Sequence, residues 1–145
     1  MSYISENLLP GEQVTYQTRL HKIVFFWPIF LSVVFMPFAL ATPWSVKGIF
    51  LLPMIVLVGG TYLTWASSEF AVTTKRVVIK VGFVKRRTLE VLLSKVEAIA
   101  VDQGIAGRMW GYGDITVSGT GGTKEPFKKV VNPLKFRQAV QAATT

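Results

Sequence analysis

Two stretches of the chain are continuously apolar and carry no charged side chain: Ile23 to Ala41 (IVFFWPIFLSVVFMPFALA) and Ile49 to Ala66 (IFLLPMIVLVGGTYLTWA). As helices they would extend about 27 to 29 Å at about 1.5 Å per residue, close to the hydrocarbon thickness of a bilayer. A chain of 145 residues has too little other material to bury two helices that are apolar all round, so membrane spans are expected rather than a soluble helical pair. A cleaved signal peptide fits badly, because the first run begins after 22 residues and a second run follows.

The connection 42–48 (TPWSVKG) has room only for a turn, so the two runs form an antiparallel hairpin with both chain termini on one side. Arg19 and Lys22 precede the first run, and Lys75 and Arg76 soon follow the second, against the single Lys47 in the turn. The excess of cations places both termini in the cytoplasm. Trp27, Trp44 and Trp65, with Tyr62, lie near the run ends and read as membrane-interface anchors, because amphipathic rings settle at headgroup level. Pro28, Pro37, Pro43, Pro53 and Gly59-Gly60 could break the helices for a transport pathway, but the only polar groups inside are Ser32, Thr61, Tyr62 and Thr64. An anchor is the better reading.

From Glu69 the period changes. Val77, Ile79 and Val81 share one face while Arg76, Val78 and Lys80 occupy the other; Leu89, Val91 and Leu93 alternate, as do Ile115 and Val117. Turn residues divide the segment at 73–75, 82–83, 94–95, 103–113 and 119–122. The spacing predicts strands at 69–73, 76–81, 84–93, 96–102, 114–118 and 127–131, and a seventh before the hairpin at 13–20, where Val14, Tyr16 and Thr18 alternate with polar partners. Asn132 suits an N-cap and Pro133 a first helical position, and Phe136, Ala139, Val140 and Ala143 form the apolar stripe of a closing amphipathic helix.

The sequences EFAVTTKRVVIKVGFVKRRTLEVLLSKVEAI (69–99) and GRMWGYGDITVSGTGG (107–122), with Pro133-Leu134-Lys135-Phe136, resemble the bacterial pleckstrin-homology (PH) family of membrane proteins. The resemblance implies an α+β membrane protein of the bacterial inner membrane. Its hairpin would span 23–66, with helices at 23–41 and 49–66, and a cytosolic PH-like domain would span 67–145. That domain would be a seven-stranded antiparallel barrel or sandwich capped by a C-terminal helix, joined by the strand within segment 1–22. The resemblance supplies no catalytic residues and implies a nonenzymatic binding or scaffold module.

If the strands run along the membrane normal, the turns at 82–83 and 103–113 face the membrane and those at 74–75, 94–95 and 119–122 lie far from it. The near set contains Lys80, Phe83, Lys85, Arg86, Arg87, Arg108, Met109, Trp110 and Tyr112, with Ile105. Cations beside apolar and aromatic groups suit an anionic leaflet, at about 1 kcal/mol per Lys or Arg. The alternative is that Met109, Trp110 and Tyr112 cap one end of the barrel and the basic run is a solvated strand face. Lys80, Lys85, Arg86 and Arg87 loosely match the basic hairpin of phosphoinositide-binding PH domains, but on a different hairpin if 13–20 is the first strand. Anionic lipids are therefore the expected partners, with a homo-oligomeric platform, a protein partner or a transporter's accessory subunit as alternatives.

Half of the residues are hydrophobic while the formal net charge is +8, which fits a membrane protein with a basic aqueous part. Without cysteine, and with His21 as the lone histidine, a standard zinc site or a Ser-His triad cannot be assembled within the chain, and no cofactor is expected. Nucleic acid ranks low, because the juxtamembrane position accounts for the same charge. Gly111-Tyr112-Gly113-Asp114 imitates a potassium filter, yet both apolar runs precede it. The sequence 118–124 (SGTGGTK) imitates a phosphate loop, but Glu125 stands where Ser or Thr should follow. The stretch reads instead as a bend at 111–113, a strand at 114–118 and a turn at 119–122.

Overall fold

A short helix, α1 (Tyr3–Glu6), and strand β1 (Val14–Thr18) precede the hairpin in the computed structural model, which describes residues 3–145. A 3-10 turn then leads into α2 (Phe26–Ala41), and a second, at Trp44–Val46, into α3 (Lys47–Ser67). The two are long and apolar enough to cross a membrane by length and composition, and almost nothing in the protein covers them. Their exposed faces carry Phe, Leu, Ile and Val.

The strands β2 (Glu69–Thr73), β3 (Arg76–Val81) and β4 (Arg87–Leu92) join β1 in an antiparallel sheet of order β1-β2-β3-β4. After a 3-10 corner at Leu93–Lys95 come β5 (Val96–Asp102), helix α4 (Ile105–Trp110), β6 (Tyr112–Gly119) and β7 (Thr123–Val131), and the second sheet has order β5-β6-β7. Inward residues of both sheets, including Phe70, Val77, Ile79, Ile115, Val117 and Phe127, form one core. Helix α5 (Pro133–Thr144) closes it with Phe136 and Val140, and Ala139 and Ala143 pack alongside as the stripe predicts. The chain is thus an α+β fold with two antiparallel sheets and a C-terminal helix.

Several boundaries differ from the sequence expectation. Strand β4 starts at Arg87 rather than Val84, because residues 83–86 form a loop instead of a two-residue turn. The predicted turn at 103–113 contains α4, and Tyr112 and Gly113 already belong to β6, so the expected bend reduces to Gly111 in left-handed geometry at φ 74°. Strand β7 starts four residues early, at Thr123. Asn132 does precede α5, but in left-handed geometry (φ 47°) and without a side-chain cap.

Val78, grouped by alternation with the polar Arg76 and Lys80, is buried, because α1 lies over the outer face of the first sheet with Ile4 against Ala71 and Val78. The segment between α1 and β1 is clamped by Glu12, which is only 6% exposed. Its carboxylate accepts from Arg76 Nε at 3.0 Å, from Thr73 Oγ1 at 2.6 Å and from the Leu9 amide at 2.7 Å. Arg76 also donates to Glu90 at 2.5 Å and to the Asn7 carbonyl at 2.7 Å. Burial by itself would raise the Glu12 pKa. The hydrogen bonds from Arg76, Thr73 and Leu9, with the Arg76 charge, outweigh it and hold the group at about 2, below its ordinary 4.5.

Two outcomes follow from this clamp. Arg76→Met leaves a buried, uncompensated carboxylate and should cost about 3 to 5 kcal/mol in chemical denaturation. A depressed carboxylate pKa contributes stability that is complete above the unfolded value and lost as pH falls through the folded one. Between pH 4.5 and about 2 the wild type should therefore lose stability more steeply than Glu12→Gln, read from melting temperature against pH.

Candidate functional site

Backbone bonds sort the turns into two ends. Leu93 N donates to Lys75 O and Thr120 N to Lys95 O, both at 3.0 Å, so the turns at 74–75, 93–95 and 120–122 cluster together. At the other end, Gly82 N donates to Ser68 Oγ at 3.2 Å, and Ser68 Oγ donates to Thr64 O on the last turn of α3. The β3–β4 loop is thereby tied to the base of the hairpin. Gly82 has φ 92°, and a Cβ there would come within 2.3 Å of Lys85 O, so the tight entry to this loop requires glycine.

The loop presents Phe83 and a 91% exposed Val84, followed by exposed Lys85 and Arg86. Val84 shares a crevice with Gly60, Thr61 and Trp65 of α3. Among the described residues neither Lys85 nor Arg86 takes part in an ion pair. The other two cations of the run are engaged within the domain. Arg87 pairs with Glu125 of β7 and lies 5.8 Å from the Phe127 ring centre, and the Lys80 ammonium lies 4.4 Å from that of Tyr3.

Helix α4 supplies the second half of the rim. Gly111 N caps it by donating to Gly107 O at 2.9 Å, and Gln103 Nε2 donates to Tyr112 O at 2.9 Å. A Cβ on Gly107 would sit 2.5 Å from Tyr112 O, so α4 lies directly on the start of β6. This close seating turns Ile105 (82% exposed) and Met109 (75%) outward with Arg108 and Trp110. Trp110 faces Phe26, Phe30 and Val33 of α2 across a crevice. Met109 and Trp110 therefore do not cap the barrel, whereas Tyr112 is half-buried with its ring 5.2 Å from His21. His21 Nδ1 accepts from Ile23 N at 3.0 Å and caps the turn that starts α2.

The three tryptophans near the run ends sit in different settings. Trp44 is 87% exposed in the interhelical turn, with Lys47 Nζ 5.4 Å from its ring centre, and Trp27 is exposed beside Phe26 and Phe30. Trp65 is turned inward: Nε1 donates to Leu20 O at 2.9 Å, Phe25 meets it edge-on, and Arg19 lies 5.7 Å from the ring centre. Nothing in the spacing of Trp65 distinguished this role, because its partner is a backbone carbonyl 45 residues away.

Glu12 is the strongly perturbed carboxylate outside the hairpin, and its bonds commit it to holding the N-terminal segment. Among the described residues no group of three or more His, Asp or Glu side chains is placed to hold a metal ion. A separate groove of about 430 Å³ runs between β5, the free edge of the second sheet, and α5. Arg137 lines it with its Nε buried and without a hydrogen-bond partner.

The family model described as the bacterial PH domain matches residues 23–144, taking in both apolar helices and everything from β2 to α5. Among solved structures, a protein with a pleckstrin-homology domain from Shewanella loihica is similar at 10% identity and a TM-score of 0.49, covering 97% of this chain and 89% of that one. None of the curated proteins matches the sequence. On the extent of the family match, the chain belongs to the bacterial PH domain family.

Proposed function

We propose that this chain is an integral protein of the bacterial inner membrane, in which α2 and α3 cross the bilayer and both termini lie in the cytoplasm. Its PH-like domain rests on the membrane surface as a nonenzymatic binding module for anionic lipid headgroups. The observation that carries the reading is the shared address of two exposed loops. Residues 83–86 and 105–110 lie at the same end of the domain, beside the bases of the two helices, and each mixes large apolar side chains with cations. Phe83, Val84, Met109 and Trp110 suit the interfacial layer, while Lys85, Arg86 and Arg108 suit its negative potential.

A second reading rests on Arg137. A buried guanidinium N–H without a partner is costly, and the neighbouring edge of β5 offers unpaired backbone groups. An extended segment of a protein partner that adds to β5 and brings a carboxylate would satisfy both. A photocrosslinker at Ala98 should then give adducts that Arg137→Ala removes; adducts unchanged by that substitution would count against this groove.

The chain has no native cysteine, so single-cysteine labelling reads topology cleanly. In intact cells, Ser45→Cys should react with an impermeant maleimide, and Thr120→Cys should react only after the inner membrane is opened. Labelling of both from the same side would end the spanning hypothesis. For lipid attraction, a polarity-sensitive dye on Val84→Cys of the full-length protein should shift to the blue when phosphatidylglycerol replaces phosphatidylcholine in the vesicles. Replacing Lys85, Arg86 and Arg108 together by Glu removes roughly 3 kcal/mol of attraction and should abolish the shift. An unaltered shift in that variant would rule the basic rim out.

A further inference from the structure

The crevice between α2 and α4 is lined by apolar and aromatic side chains, with His21 and Lys22 at one end. Its volume is about 570 Å³. Phe26, Phe30 and Val33 form one wall, Trp110 the other, and Lys22 and His21 stand at its mouth. From Phe26 to Val33 the helix rises about 10 Å at about 1.5 Å per residue. Half of a hydrocarbon core about 30 Å thick is about 15 Å, so a wall of this length would meet roughly the upper two thirds of an acyl chain in one leaflet.

The mouth has a definite electrostatic sign. Among the described residues no carboxylate lines the crevice, Lys22 is exposed, and Arg108 is exposed on α4 two residues before Trp110. His21 accepts from Ile23 through Nδ1, which leaves Nε2 to carry the proton and to donate to an ester or phosphate oxygen. The stacked pair Phe26 and Phe30, with ring centres 6.1 Å apart and planes 11° from parallel, gives a flat surface for a methylene chain opposite the Trp110 indole.

We propose that the α2–α4 crevice binds one anionic glycerophospholipid of the cytoplasmic leaflet. An acyl chain lies along Phe26, Phe30 and Val33 beneath Trp110, and the phosphate sits at Lys22 within the positive field of Arg108. The inference rests on the membrane-anchored reading above and names the ligand class for one part of the rim.

The test is native mass spectrometry of the full-length protein, titrated in mild detergent with phosphatidylglycerol or phosphatidylcholine of identical acyl chains. One phosphatidylglycerol should be retained preferentially. At about five-fold per cation, the pair Lys22 and Arg108 predicts selectivity of about twenty-five-fold. Lys22→Gln with Arg108→Gln should abolish that selectivity, while Lys22→Arg with Arg108→Lys should keep it. Trp110→Ala should weaken retention of both lipids, and Thr120→Ala, at the far end of the domain, should change neither. Melting temperatures establish that each variant is folded, and Trp110→Phe stands in for Trp110→Ala if the latter is not. Equal retention of the two lipids, or wild-type selectivity in the Gln pair, would overturn the assignment. Should the cysteine labels place positions 45 and 120 on opposite sides while no lipid is selected, the crevice assignment falls and the membrane anchor stands.

Discussion

The rest of the structure depends on the seam at Thr18 to His21, where the chain leaves one sheet, touches the other and enters the hairpin. Thr18 Oγ1 donates to Val131 O at 2.8 Å, Val131 N donates to Arg19 O at 3.0 Å, and His21 N donates to Lys129 O at 2.7 Å. Leu20 bridges to Val130 and is buried in the common core. Its carbonyl also takes the Trp65 indole N–H, so the strand before α2 and the last turns of α3 are fixed at one point. Buried backbone groups must be paired, and here the pairing joins both sheets and both helices. This seam sets how the domain stands on its hairpin, and consequently which loops face the helix bases. Residues 14–18 lie outside the stretch matched by the family model, yet they supply the edge strand that completes the first sheet.

Much of this was legible in the sequence because it follows from period. Strands β2, β3 and β5 begin and end where alternation and turn residues place them, and the stripe of α5 faces the core. The failures have local causes. Val84 stands out of phase with Leu89, Val91 and Leu93, and the Gly82 turn throws it outward, so the residue read as the first position of that strand is 91% exposed. Helix α4 spans six residues and includes Gly107, too short and too weak a former to show a 3.6-residue period. Glu12 looks like an ordinary surface acid because Arg76, Thr73 and the Leu9 amide reach it only after the fold is assembled.

The rim shows the same division between what sequence lists and what geometry selects. Lys80, Arg87 and Tyr112 spend their side chains on Tyr3, on Glu125 and Phe127, and on His21. Phe83, Lys85, Arg86, Arg108, Met109 and Trp110 are left exposed beside the helices. A count of cations alone overstates the unpaired charge of the rim, and the inward turn of Trp65 shows that a tryptophan near a helix end can act as a rivet. What remains is a smaller, amphipathic rim whose apolar tips and cations occur together, the combination an anionic interface rewards.

Collision accessibility of spin labels tests the central claim, that this rim lies in the headgroup layer, most directly. Labels at Val84, Met109 and Thr120 of the full-length protein in phosphatidylglycerol bilayers would be compared for relaxation by oxygen, which partitions into lipid, and by a water-soluble nickel chelate. The account predicts oxygen-dominated relaxation at 84 and 109 and chelate-dominated relaxation at 120. Chelate-dominated relaxation at all three positions would contradict it.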